Sequence, residues 1–122
     1  MQKILSVGCI SELFRQRNAA LTAAGMKVSE AAGLAQGLRM IDGDVFDIAI
    51  LGYGLQAEER DKLARALRRR QRGCKIIMLY EGRITGTEMA DAIIAADDPQ
   101  RVVEAVQMLS EATGTKSRTE CA

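Results

Sequence analysis

The chain has 122 residues, 48% of them hydrophobic and 27% charged, the balance of one globular domain with a single core. Its formal net charge of +1 gives no general pull toward nucleic acid or an acidic membrane surface. The absence of histidine excludes Ser-His and Cys-His catalysis and every His-containing zinc site.

Ile4-Leu5-Ser6-Val7 is a short apolar run stopped by Gly8 and reads as a first strand. Ser11 follows as an N-cap, with Glu12 suited to the positive end of a helix. Leu13, Phe14, Ala20, Leu21 and Ala24 then recur at helical spacing until Gly25 stops them. Residues 26–29 predict a brief second strand. Ala31, Leu34, Leu38 and Ile41 predict a second helix, weakened by Gly33 and Gly37 and ended at Asp42-Gly43. Phe46-Asp47-Ile48-Ala49-Ile50-Leu51 runs almost unbroken into Gly52 and Gly54, the pattern of a central strand buried on both faces.

Residues 56–72 predict the best helix of the chain. Leu63, Ala66 and Leu67 supply its buried stripe; Glu58, Glu59 and Asp61 sit early, and Arg65, Arg68, Arg69, Arg70 and Arg72 late, matching the macrodipole. Residues 75–80 predict a fourth strand, 85–91 a short helix weakened by Gly86, and 92–95 a fifth strand of small residues. Asp98 as N-cap and Pro99 at the first helical position open a last helix through Val102, Val103, Val106 and Leu109. Residues 111–122 are polar and lack periodicity, so the domain is expected to span 1–110 with a disordered tail. Five strands alternating with five helices predict an α/β domain with a mostly parallel sheet covered on both faces.

The passages Lys3-Ile4-Leu5-Ser6-Val7, Ala24-Gly25-Met26-Lys27-Val28, Phe46 to Leu51, and Ala90-Asp91-Ala92 leading to Asp98-Pro99 carry a family likeness. In order and spacing the chain resembles the receiver domain of bacterial response regulators, over roughly residues 3 to 110. The resemblance implies a flavodoxin-like (βα)5 fold, a doubly wound five-stranded parallel sheet in the order 2-1-3-4-5.

Active receivers accept a phosphoryl group from a histidine kinase on an aspartate, helped by Mg²⁺. Carried over position by position, the metal-binding acid pair falls on Gly8 and Cys9 and the acceptor aspartate on Gly52. The small hydroxyl residue falls on Tyr80, the phosphate-binding lysine on Ala95, its following proline on Ala96 and the switch aromatic on Ala92. The resemblance is therefore to a degenerate pseudo-receiver, a non-enzymatic signalling module without Mg²⁺-dependent aspartyl phosphorylation and with no cofactor. Its expected partner is a signalling protein or a second copy of itself, not nucleic acid and not a membrane. The candidate interaction face is Thr85, Met89, Arg101, Glu104 and Met108. No DNA-binding domain is expected to follow, so the response is expected to pass through another chain.

Other features have a structural and a functional reading. Asp47 is the obvious substitute carboxylate, but it opens its strand, roughly 16 Å from the far end. Glu58, Glu59, Glu81 and Asp97 lie nearer that end, yet none stands at the nucleophile's position. Three cysteines, Cys9, Cys74 and Cys121, form no CxxC pair, which points to free thiols and a cytoplasmic protein. Cys9 is expected to be a small buried hydrophobe; the alternative is a ligand or thiol-redox sensor in the crevice around Gly8, Cys9, Gly52 and Tyr80. Tyr80 either fills the space left by Gly8 and Gly52 or lies at the surface. The Arg65 to Arg72 run is expected to be a solvated helix end, and no run approaches the roughly 20 apolar residues of a membrane span.

Overall fold

The central strands alternate their side chains between two cores, and this period of two organises the molecule. The computed structural model describes residues 2–52, 54–84 and 86–121, with 111–121 as backbone only. In chain order the elements are β1 (Lys3–Gly8), α1 (Glu12–Ala23), β2 (Lys27–Ala32), α2 (Gly33–Gly43), β3 (Ile48–Leu51), α3 (Ala57–Arg70), β4 (Lys75–Tyr80), β5 (Ala92–Ala95) and α4 (Pro99–Cys121). All strand pairs are parallel, in the order β2-β1-β3-β4-β5. This is the flavodoxin-like sheet that the resemblance implies.

Leu5, Val7, Ala49, Leu51, Ile76 and Met78 face one way, onto Ile41 of α2 and Leu63, Ala64 and Leu67 of α3. Ile4, Ile48, Ile50, Ile77 and Leu79 face the other, onto Leu21 of α1 and Val102, Val103 and Val106 of α4. Truncating any of these large side chains to alanine removes about 2–5 kcal/mol. Gly37 explains why α2 tolerates a helix-weakening residue: a Cβ there would stand 2.8 Å from Leu63 Cδ2 and 3.3 Å from Val7 Cγ1. The glycine lets α2 approach α3 and β1. Gly37→Val is therefore expected to destabilise the domain by about 1–3 kcal/mol in urea unfolding, because the added methyls overpack that junction.

The helix caps read from the sequence are present. Ser11 Oγ accepts from Phe14 N at 3.2 Å, and Gly25, at φ 92°, closes α1 with Met26 N donating to Leu21 O. Asp98 Oδ1 accepts from Gln100 N at the start of α4. β4 and β5 keep the expected bounds. β2 is longer than expected, because Glu30, Ala31 and Ala32 continue the ladder beside Ser6, Val7 and Gly8 instead of entering a helix. β3 starts two residues late. Asp47 lies at its lower edge, accepting from Lys3 N at 2.8 Å, while Phe46 is buried beneath the loop.

Among the described residues, 86–91 form no helix, so four helices stand where five were expected. Thr85 itself lies outside the described residues. Gly82 and Gly86 take φ of 75° and 67°, left-handed values that interrupt a helix. Arg68 of α3 instead holds the segment open, donating to Met89 O at 2.6 Å and Asp91 Oδ2 at 3.0 Å. Asp91 in turn accepts from Ile76 N at 2.7 Å. The expected tail over 111–122 concerns side chains outside the described residues, although the backbone of α4 runs to Cys121.

Candidate functional site

Parallel pairing brings the resemblance-derived positions to one edge of the sheet. Gly8 ends β1, Gly52 follows β3, and Tyr80 and Ala95 end β4 and β5 as register partners. Gly52 N donates to Val7 O at 2.8 Å. A Cβ on Gly52 would stand 3.0 Å from Val7 O and 3.3 Å from Gly8 Cα. Two backbones thus meet where only hydrogen fits between them.

The side chain that fills the space beside them is Arg17. It is 4% exposed. Its terminal nitrogens lie 3.4 Å from a Cβ built on Gly8 and 3.6 Å from one built on Gly52. Arg17 Nη2 donates to Ser6 Oγ at 2.9 Å, and the guanidinium carbon lies 5.1 Å from the centre of the Phe14 ring. A hydrogen-bonded cation against an aromatic face offsets part of its desolvation cost. The chain continues across the edge of the sheet. Ser6 Oγ donates to Asn18 Oδ1 at 2.6 Å, and Asn18 Nδ2 donates to Glu30 Oε2 at 2.7 Å.

The sequence reading missed Arg17, although a signal existed. The buried residues of α1 are Phe14, Arg17, Asn18 and Leu21, a spacing of three, four and seven along one helix face. Two polar residues on an apolar stripe, opposite Ser6 in an apolar strand, mark a buried polar network. Phe14 and Arg17 also occupy the space one reading assigned to the Tyr80 ring. The crevice is lined by Gly8, Cys9, Ser11, Phe14, Arg17, Gly52 and Gly54, and half-buried Tyr80 is not among them.

Cys9 is exposed, contrary to the expected burial, with Sγ donating to Gly54 O at 3.5 Å. It projects over the crevice because a Cβ-free Gly54 lies against it; a Cβ there would stand 3.1 Å from the sulfur. Cys74 is the buried thiol, and burial pushes it up to about 12. In a Cys121→Ser background, Cys9 is expected to react with Ellman's reagent in the native state. Cys74 reacts only after unfolding. Fast labelling that persists in Cys9→Ser would refute this assignment.

The substitute carboxylates stay apart. Asp47 sits at the opposite edge of the sheet, and Glu59 closes the start of α3 by accepting from Gln56 N at 2.9 Å. Among the described residues, no group of three His, Cys, Asp or Glu side chains converges to hold a metal. Three arginines of the run are ion-paired: Arg65 with Asp61, Arg68 with Asp91 and Arg70 with Asp42. Of the expected interaction face, Arg101 and Glu104 are exposed along α4 and Met108 is 69% exposed. Met89 is half-buried against the α2/α3 core instead. No described helix is long and apolar enough to cross a membrane.

No family model and no curated relative matches the sequence. Solved structures do. A CheY-like response regulator receiver domain protein from Methanospirillum hungatei superposes with a TM-score of 0.83 at 21% identity, covering 95% of this chain and 98% of that one. The response regulator TrrA from Thermotoga maritima, in complex with Mg²⁺ and BeF, gives 0.77 at 19% identity over 89% and 99%. TrrA bound to the histidine kinase ThkA gives 0.73 at 19% identity over 89% and 98%. With its five-stranded parallel sheet in the same order, the chain has the fold of response regulator receiver domains.

Proposed function

We propose that this chain is a pseudo-receiver: a signalling module of the two-component type that works by protein–protein contact, without accepting a phosphoryl group on aspartate. The observation that carries the reading is the Gly8–Gly52–Arg17 contact. Phosphoryl transfer to a receiver needs a carboxylate nucleophile and Mg²⁺, which takes hard oxygen ligands. Gly8, Cys9 and Gly52 supply no carboxylate, and a guanidinium fills the space between the two strand ends. These residues do not fit Mg²⁺. A fixed cation beside the site opposes a second cation further.

The neighbour TrrA is seen bound to a histidine kinase, which supports a signalling protein as partner here. The exposed row of Arg101, Glu104 and Met108 on α4 is the surface we assign to such a contact. Addition of Mg²⁺ and beryllofluoride is expected to leave the amide NMR signals of Gly8, Gly52 and their neighbours in place. A saturable shift there that requires both reagents would overturn the reading.

A further inference from the structure

The β2 edge of the sheet carries an open row of main-chain groups. β2 ends the strand order and pairs only with β1. Lys27 N donates to Gln2 O at 2.9 Å. In the parallel ladder Lys27, Ser29 and Ala31 therefore bond to β1, while Val28, Glu30 and Ala32 turn their N–H and C=O outward. The outward N–H of Ala32 is taken by Gln36 Oε1, a side-chain amide standing where the carbonyl of a further strand would stand. Those of Val28 and Glu30 have no such partner among the described residues.

A groove runs beside this edge between β2 and α1, and two cavities lie along it. One, of about 740 Å³, is walled by Val28, Ala19, Thr22 and Ala23. The other, of about 260 Å³, is walled by Ala32, Phe14 and Ile10, and Ile10 is 64% exposed. Arg15 and Glu30 line both cavities, so opposite charges mark the middle of the groove. Asn18 Nδ2 draws the Glu30 carboxylate toward α1 at 2.7 Å. Arg15 is exposed and makes no ion pair among the described residues. The outward row of β2 thus reads apolar, acid, apolar, and the groove beside it reads apolar, base, apolar.

This patch is complementary to itself, as an interface about a two-fold axis requires. We propose that a second copy of this chain pairs with it, β2 against β2 antiparallel about Glu30, to make one continuous sheet. In that register Glu30 exchanges both main-chain bonds with the partner's Glu30, and Val28 N donates to the carbonyl of the partner's Ala32. The Gln36 cap stays in place. Two carboxylates come opposite each other, which opposes pairing unless cations neutralise them; Arg15 and the partner's Arg15 are those cations. Ala19 and Ala23 are small and exposed, which leaves room for the second α1 across the seam.

The test is sedimentation of the full chain over a concentration series, with hydrogen exchange followed by NMR at both ends of the series. The mass is expected to rise from one chain to two, and the amides of Val28 and Glu30 to gain protection with it. Ala32, already capped, should be protected throughout. Arg15→Glu, a change at an exposed side chain, should weaken association about tenfold, since each dimer holds the pair twice. Glu30→Arg should weaken it similarly, and the double reversal should restore it. A chain that stays monomeric, or a dimer whose Val28 and Glu30 amides exchange freely, would overturn the proposal. A dimer indifferent to Arg15→Glu would overturn it too, as would protection of these amides only on adding a different protein. The pseudo-receiver reading stands or falls separately, on the mass of the chain after acetyl phosphate treatment.

Discussion

Arg17→Ala is expected to destabilise the domain by about 2–4 kcal/mol, whereas Arg17→Met should stay within about 1 kcal/mol of the parent. The alanine variant empties the space beside Gly8 and Gly52, removes the cation from the Phe14 ring and deprives Ser6 Oγ of a donor. The loss of the ring contact alone is worth about 0.5–2 kcal/mol. Against these losses stands the relief of no longer burying a charge, since Arg17 is 4% exposed. Methionine keeps most of the volume and drops the charge, so the pair separates packing from electrostatics. Urea unfolding of both variants decides between them. A methionine variant as unstable as the alanine one would show that the fold depends on the charge and not on the filled space.

Gln71→Ala should cost about 3–5 kcal/mol, which is large for a residue outside any helix or strand. Its buried side chain makes three hydrogen bonds to main chain. Oε1 accepts from Phe46 N at 2.8 Å, and Nε2 donates to Ile41 O at 3.0 Å and to Asp44 O at 2.8 Å. One amide thereby ties the end of α3 to the end of α2 and to the loop that enters β3. Each buried main-chain group left without a partner costs about 1–3 kcal/mol, reduced wherever water can enter. The expected result is a lower midpoint in thermal unfolding together with faster hydrogen exchange at Phe46. A loss under about 1 kcal/mol would show that water replaces the amide without penalty.

Local chemistry carried most of the architecture into view. Ser11, Gly25, Asp98 and Pro99 are short-range signals, and each marks a helix boundary in the structure. β4 and β5 were legible because uninterrupted apolar runs bounded by polar residues have few alternatives. Strand order was not legible from periodicity and came from the family resemblance. The errors share one cause. Residues 85–91 have the length and composition of a short helix, but Arg68, 21 positions from Met89, takes the carbonyl and carboxylate that a helix would use otherwise. β2 was cut short because Ala31 suits a helix as well as a strand, and only pairing with Val7 decides. Arg17 went unread because the apolar stripe of α1 was followed only through its hydrophobic residues, although its spacing from Phe14 and Leu21 places it on the same buried face. The positions at the sheet edge were legible as positions; what fills the gap between them required coordinates.

The central claim is that no carboxylate stands at this sheet edge where a receiver accepts its phosphoryl group. Incubation of the intact chain with acetyl phosphate and Mg²⁺, followed by intact-mass spectrometry, tests it most directly. The account predicts an unchanged mass, alongside a competent receiver that gains one phosphoryl group under the same conditions. An acid-stable, hydroxylamine-sensitive gain of one phosphoryl group, mapped to a carboxylate of this chain, would contradict it.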